Sequence, residues 1–478
     1  MNYYLGVDIG TSSTKVVAFT EQGTVAARRS VAYAMQHPAP DRSEQDPEEI
    51  YRAVCKCLEG VIAALKSGRP LLVSFSAAMH SLLAVDAQGL PLTACIIWAD
   101  NRAAAIAEEL RSGETGRRFY TLTGVPVHAM SPFCKLIWLR RNEPAIFHAA
   151  ARFIGIKEYI IFKLCGKYYV DSSIASATGL LNLSTLQWDA EILRWLAIDA
   201  AKLPEVVSPH YCMVYNGPLA FMAGVSLVMG GSDGALANLA TGAVGEEKMA
   251  VTIGTSGAVR MASVGVQTDE QMRTFCYHVK DDLYIRGGAT NNGAVVIQWL
   301  KETLLRTEES YDQLLALAGT VGPGADRLLF IPYILGERAP IWNSKARGIF
   351  FGLEIRHGKA HLVRAAMEGI LFCMYDIGKG LSAGRAVREL HASGGFARNP
   401  LWLQMLADIF MVKVLAFGEE DSSAFGAVLI GLEALGVAVP FHNEVLAVYE
   451  PDEGAHVVYA QGFEKFLRVY GLVKGEFS

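Results

Sequence analysis

Leu5-Gly-Val-Asp-Ile-Gly-Thr-Ser-Ser-Thr-Lys-Val16 and Met249-Ala-Val-Thr-Ile-Gly-Thr-Ser-Gly-Ala-Val-Arg260 are two versions of one pattern, sharing Val-x-Ile-Gly-Thr-Ser. Each reads as a β-strand, a short Gly/Ser/Thr turn and a second strand, a hairpin whose loop offers backbone amides and hydroxyls. A second echo follows the first. Leu227-Val-Met-Gly-Gly-Ser-Asp-Gly-Ala and Leu390-His-Ala-Ser-Gly-Gly-Phe-Ala-Arg each run from an apolar strand through Gly-Gly into an amphipathic helix. Corresponding parts in both halves predict an α/β protein of two related domains.

Length agrees with this. A single hydrophobic core stops growing at about 250–300 residues, and the chain has 478. The expected boundary is Gly242–Glu247, giving domains 1–245 and 246–478. The first domain carries a large insertion, expected to hold a helix at Pro47–Leu65, a strand at Pro70–Ser76, helices near Arg102–Arg111 and Pro144–Leu164, and a hairpin around Tyr168–Leu183. Beyond Pro440 the pattern offers a strand at Ala455–Tyr459 and a closing helix.

Composition narrows the function classes. The net charge of −5 arises from interspersed acids and bases with no long basic run, which disfavours a nucleic-acid partner. None of the eight cysteines forms a C-x-x-C pair, so they read as buried thiols of a reducing compartment. No stretch reaches the ~20 uncharged apolar residues of a membrane span, and Asp8 and Gly10 interrupt the apolar start, so a cytoplasmic protein with no membrane partner is expected.

The chemistry sits in the echoed loops. In Asp8-x-Gly10-Thr11-Ser12-Ser13-Thr14-Lys15 a carboxylate ends a strand before a turn whose N–H groups can approach phosphate oxygens. A P-loop is excluded, because G-x-x-x-x-G-K-[ST] is absent. A carboxylate beside polyphosphate is repelled unless Mg²⁺ stands between them, which makes Asp8 the metal-side candidate, with a turn-capping Asp as the alternative. Gly10, Thr11, Ser12, Ser13 and Lys15 are then phosphate-binding candidates. The second loop has Thr252 where the first has Asp8; Gly254, Thr255 and Ser256 are assigned to outer phosphates. In Gly394-Gly395-Phe396-Ala397-Arg398-Asn399 the paired glycines allow close approach of a flat or charged ligand to a helix start. Asp233, in Gly230-Gly-Ser-Asp-Gly-Ala, stands at a strand-to-helix turn with room for a substrate; by itself it reads as a helix N-cap, and the two echoed phosphate loops make it the candidate proton acceptor.

Longer motifs now carry a resemblance. Met130-Ser-Pro-Phe-Cys-Lys-Leu-Ile-Trp-Leu-Arg-Arg-Asn142 and Gly348-Ile-Phe-Phe-Gly-Leu353 with His361-Leu-Val-Arg-Ala-Ala-Met-Glu368 resemble the two signatures of the FGGY family of carbohydrate kinases. Trp98-x-Asp100-x-Arg102 and Gly336-Glu-Arg-Ala-Pro-x-Trp342 are further matches, and the resemblance runs from Tyr4 to about Leu435. It implies RNase H-like domains of the actin and hexokinase superfamily with a sugar cleft between them. It also implies ATP with Mg²⁺, Asp233 as catalytic base, Asp8 at the metal, and Gly394, Gly395 and Asn399 near the adenosine. Family members are often homodimers. Trp138, Leu139, Phe350 and Phe351 are expected in the core, and Glu368, read at the start of an apolar helix, is expected to be structural.

Within the family, Ala78-Met79-His80 resembles the sugar loop of xylulose kinases, with Asp100 expected to face the same cleft. The stretches at Gly124–Met130, Phe153–Tyr159, Ile174–Gly179 and Gly287–Asn292 resemble gluconate kinases instead, which makes a sugar acid the expected substrate and xylulose the alternative. His128, Lys157, Asn291 and Asn292 are the groups offered to a substrate carboxylate, which needs donors when buried; Lys157 on an exposed helix face is the other reading. A non-catalytic actin-like ATP-binding protein is the rival class, and a sugar-sensing regulator would need a DNA-binding segment.

Overall fold

Strand β1 (Asn2–Ile9) is buried on both faces, which is why it reads as a nearly unbroken apolar run. It pairs antiparallel with β2 (Ser13–Thr20), and β2 with β3 (Val25–Ala32). Helix α1 (Pro47–Ala64), N-capped by Asp46, leads back to β4 (Arg69–Ala77), parallel to β1. Strand β5 (Ser226–Ser232) lies parallel to β4 and runs into α2 (Asp233–Ala240). The computed structural model describes residues 2–65, 68–418, 421–437 and 444–477.

The second half repeats this plan with β6 (Lys248–Ile253), β7 (Gly257–Val264), β8 (Leu283–Thr290), α3 (Lys359–Ser382), β9 (Glu389–Ser393), α4 (Pro400–Phe410), β10 (Lys413–Phe417) and α5 (Ser422–Ala434). The corresponding strands run β3-β2-β1-β4-β5 in one sheet and β8-β7-β6-β9-β10 in the other, each pairing in the same sense; Cys212–Val214 adds an edge to the first sheet, and Phe275–Lys280 and Val445–Tyr449 add the two edges of the second. That order and sense are those of the RNase H-like core implied by the resemblance. Where the second half has α4, the first has residues 78–225; a second excursion, residues 291–358, follows β8. Both leave from strand ends on the cleft side.

Helix α5 packs on the first sheet although it follows the second in sequence. Its approach requires two glycines: a Cβ on Gly6 would lie 2.2 Å from the Ala424 carbonyl oxygen, and one on Gly426 would lie 2.1 Å from that of Leu236. Tyr4, Val17 and Leu72 close around Ala424, Val428 and Leu432 to fill this contact. On the cleft side the two halves also meet directly. Tyr120 Oη donates to the Thr274 carbonyl at 2.8 Å, Cys276 N to that of Gly124 at 2.9 Å, and Arg111 to that of Trp342.

Several local expectations are corrected. The helix expected over Pro144–Leu164 is two, Pro144–Ala149 and Ile156–Cys165, separated by a strand, Arg152–Ile154, that pairs with Leu83–Val85. No hairpin spans Tyr168–Leu183: Tyr169–Asp171 pairs with Glu205–Val207 and Leu181–Asn182 with Gln187–Trp188. Asp171 instead caps the short helix Ser172–Ser176 between them. Ala455–Tyr459 is helical, part of Glu453–Val473, because Asp452 caps that helix; the strand is Val445–Tyr449. Pro440 lies outside the described residues. Glu368 is well inside α3, not at its start, and pairs with Arg364 one turn away at 2.9 Å.

Candidate active site

The first hairpin turn is tied in place by its own residues and by its neighbours. Gly10 N donates to the Ser13 carbonyl at 3.0 Å, Gln45 Nε2 to that of Thr11 at 2.6 Å, and the Trp98 indole to Thr11 Oγ1 at 2.9 Å. Asp8, at the end of β1, accepts from Ser76 Oγ at 2.9 Å through one oxygen. Burial and the nearby Asp233 push its carboxyl up to about 6, against the opposing pull of Ser76 and Lys15. Lys15 is engaged by a second-half group: its Nζ lies 2.9 Å from Asp421 Oδ1, at the start of α5.

The second hairpin is built alike around different chemistry. Gly254 N donates to the Ser256 carbonyl at 2.9 Å, and Thr252 Oγ1 lies 3.1 Å from Ser393 Oγ, so a hydroxyl pair occupies the place of the first carboxylate. Gly394 adopts φ 102°, and a Cβ there would meet the Ile253 carbonyl oxygen at 2.7 Å, which is why glycine stands where the β9 turn crosses the hairpin. Between them lies a cavity of about 380 Å³ lined by Gly254, Thr255, Gln298, Tyr311, Gly395 and Asn399 among others. Asn399 also N-caps α4, accepting from Trp402 N at 3.2 Å.

A second cavity, of about 240 Å³, lies between the halves on the other side of the 254–257 turn. The first half contributes Thr11, Met79, His80, Trp98 and Asp233; the second contributes Thr252, Ser256, Arg260, Tyr277, Arg338 and Trp342. Asp233 is the first residue of α2, where the helix dipole favours its charge, and Gly234 N donates to its Oδ1 at 2.7 Å. Burial raises its pKa, while Arg260 and the Gly234 N–H pull the other way. Gly234 is what admits Arg260, since a Cβ there would lie 3.0 Å from the arginine Nε. His80 sets its Nδ1 2.8 Å from the Ala177 carbonyl, so Nδ1 carries the proton and Nε2 is an acceptor on the cavity side. Burial and Lys135 push His80 down to about 3, leaving the ring neutral.

Of the expected sugar-side residues, the structure therefore brings Met79 and His80 to the cavity with Asp233. The others are held elsewhere. Asp100 is fully buried, with Oδ1 accepting from the Arg102 backbone and Nε and Oδ2 from Ser43 N and Arg102 Nη2, so it does not face the cleft as expected. Lys157 is neither exposed nor at the cavity: buried beneath β4 and β5, it pairs with Asp171 at 2.7 Å and donates to the Phe75 and Gly231 carbonyls. Asn291 and Asn292 brace the following loop, with Asn291 N on Glu337 Oε1 at 2.9 Å and Asn292 Nδ2 on the Gly336 carbonyl at 2.7 Å. His128 packs tilted against Trp342, ring centres 5.3 Å apart, and is not among the residues lining the cavity. Residue-by-residue reading missed Arg260, Tyr277 and Arg338. For Arg260 a signal existed: it ends the second echo two residues after Ala258, on the same face of β7, where the first half has an apolar Val16.

Two repeated α/β lobes, the acids Asp8 and Asp233 at strand ends of the first lobe, and a partly closed cavity between the lobes are the parts of a sugar-kinase type of molecule. The family models for the N-terminal and C-terminal domains of the FGGY family of carbohydrate kinases match residues 3–240 and 249–435, and the chain belongs to that family. It is similar to a gluconokinase of Bacillus licheniformis, 42% identical over 91% of this chain and 88% of that one. Among solved structures it resembles the gluconate kinase from Lactobacillus acidophilus, at 32% identity and a TM-score of 0.96 over 100% of both chains. The ligand-bound xylulose kinase from the same organism gives the same identity, coverage and TM-score, so backbone shape does not separate the two substrates. No helix among the described residues is long and apolar enough to cross a membrane.

Proposed function

We propose that this carbohydrate kinase transfers the γ-phosphoryl group of ATP to the terminal hydroxyl of D-gluconate, giving 6-phosphogluconate. The observation that carries it is the cavity between the lobes, with Asp233 in its wall and the hydroxyls of Thr11, Thr252 and Ser256 on the side nearest the two hairpins. In this reading the chain divides near residue 245 into a sugar-side and a nucleotide-side lobe, although the second also contributes Arg260, Tyr277 and Arg338 to the sugar side. The nucleotide lies in the groove of Gly254, Thr255, Gly395 and Asn399.

In the step itself Asp233 accepts the proton as the sugar oxygen bonds to the γ-phosphorus. The bond from that phosphorus to the β–γ bridging oxygen breaks, and ADP leaves. Gly234 N–H holds the Asp233 carboxylate oriented, and its place at the start of α2 favours the charged form. Trp98, Trp342 and Met79 wall the cavity against water, the competing nucleophile. The site fits Mg²⁺ carried with the nucleotide: Asp8 offers one oxygen beyond the one held by Ser76, and no group of three or more His, Cys, Asp or Glu among the described residues forms an all-protein cage. When bound, Mg²⁺ would neutralise charge on the phosphates.

The second reading, a xylulose kinase, draws on Met79 and His80 in the cavity and on the equal likeness of the xylulose kinase structure. ADP release with Mg·ATP across gluconate, xylulose, ribulose and glycerol, with Asp233→Asn as the blank, decides between them. Turnover on gluconate supports the proposal; turnover confined to xylulose keeps the chemistry and replaces the substrate. No ADP release with any sugar, with ATP still bound, would overturn it.

A further inference from the structure

The charged side chains lining the 240 Å³ cavity are Asp233, Arg260 and Arg338, two cations and one anion. No hydrogen bond or ion pair joins the Arg260 guanidinium to a described residue, although it is only partly exposed and opens on the cavity. Arg338 is 9% exposed; one Nη donates to the Thr290 carbonyl at 3.2 Å, and its Nε is buried with no partner. Its plane lies over the Trp98 ring at 5.1 Å, which fixes its direction. Glu337, the neighbouring carboxylate, is already used by Thr290 Oγ1, Asn292 Nδ2 and the N–H groups of Asn291 and Arg338. Behind His80, Lys135 donates to the carbonyls of His80, Ile96 and Ile97; burial pushes its pKa down to about 7, and its nearest counter-charge, Asp100, is already paired with Arg102.

Unpaired guanidinium donors in a partly closed cavity are costly until an anion meets them. The two arginines also repel, and burial holds both below the ordinary arginine range. A neutral ketose would leave this excess positive charge standing; a substrate carrying one negative charge would cancel it, and guanidinium groups bind carboxylates through paired N–H donors. We propose that Arg260 and Arg338 form the carboxylate clamp of the sugar site and select an aldonic acid over neutral sugars of the same length. The assignment rests on the kinase reading above and replaces His128, Lys157, Asn291 and Asn292 as the groups that hold the acid. Arg260 also neighbours Asp233, so a pure positioning role for it is the competing explanation.

The test compares D-gluconate with D-glucitol, its uncharged counterpart, in the full-length protein and in the Arg260→Gln, Arg260→Lys and Arg338→Gln variants. Arg260→Gln is expected to lower kcat/KM for gluconate by about 10²–10³-fold, mainly through KM, and to cost glucitol about tenfold less than it costs gluconate. Arg260→Lys should recover part of the loss, because it restores charge without the paired donors. Parallel losses on both substrates, carried by kcat, would assign Arg260 to positioning Asp233 and overturn the clamp. Thermal unfolding without nucleotide supplies a readout independent of turnover. Gluconate should raise the wild-type melting temperature and have little effect on Arg260→Gln or Arg338→Gln, whose unliganded forms melt no lower than wild type; an undiminished gluconate shift in both would refute the clamp. If the wild type phosphorylates only neutral sugars yet binds gluconate through Arg260, the clamp stands and the substrate assignment fails; if it neither binds nor phosphorylates gluconate, both fail.

Discussion

The two hairpins at the cleft have the same strand order, the same pairing sense and nearly the same turn sequence, yet they bring opposite chemistry to it. The first ends β1 with a recessed carboxylate, Asp8, raised in pKa by burial and by Asp233. The second puts Thr252 at that place, hydrogen-bonded to Ser393, and two residues past Ala258 along β7 it sets Arg260 on the cavity. A duplicated scaffold thus gives acids from one side and hydroxyls and cations from the other. Phosphoryl transfer needs that asymmetry, because two opposed carboxylate loops would repel the phosphates between them.

The comparison breaks first at Asp233. Asp233→Asn should lower kcat by about 10²–10⁴-fold while ATP affinity measured by calorimetry stays near wild type, as for loss of a general base. A near-normal rate would remove the acid side of the asymmetry. Asp8→Asn should cost on the order of 100-fold in kcat/KM for Mg·ATP. The same variant makes a pH prediction of definite sign. A carboxyl whose pKa is raised on folding, here from 3.8 to about 6, favours the folded state below 3.8 and forfeits that contribution as pH rises through about 6. Unliganded Asp8→Asn should therefore exceed wild type in stability by about 1–2 kcal/mol at pH 7, with the gain vanishing below pH 4, as read by urea unfolding at both pH values.

Smaller effects sharpen the contrast. Lys15→Met leaves the buried Asp421 with only the longer 3.7 Å contact to Arg28 and should destabilise by about 1 kcal/mol in chemical denaturation, less than a fully buried pair because Lys15 is partly exposed. In the second hairpin Val259 takes the place of Lys15. Thr252→Val should cost only about 1 kcal/mol of stability, the loss of one neutral hydrogen bond, with a modest rise in KM for ATP. A larger effect than that of Asp8→Asn would reverse the ranking of the two loops.

How much of this was legible follows the range of the interactions involved. The paired hairpins, the Gly-Gly turns, and Asp233 at a strand-to-helix junction are set by neighbours within a few residues, so periodicity and turn chemistry expose them. The insertion was read less well. Arg152–Ile154 becomes a strand only because Leu83–Val85 is there to pair with it, and Ala455–Tyr459 resembles a strand until the Asp452 cap is taken into account.

The sequence by itself determined the repeated α/β plan and the acids at its strand ends, since strand alternation and glycine turns are written into consecutive residues. Only the tertiary structure decided which cations reach the substrate. Lys157 is held by Asp171 beneath the sheet and Asp100 by Arg102, while Arg260 and Arg338, both from the second half, face the cavity between the lobes with donors free. A long charged side chain goes to whichever partner packing brings within about 3 Å, and that partner is set by residues far away in the chain.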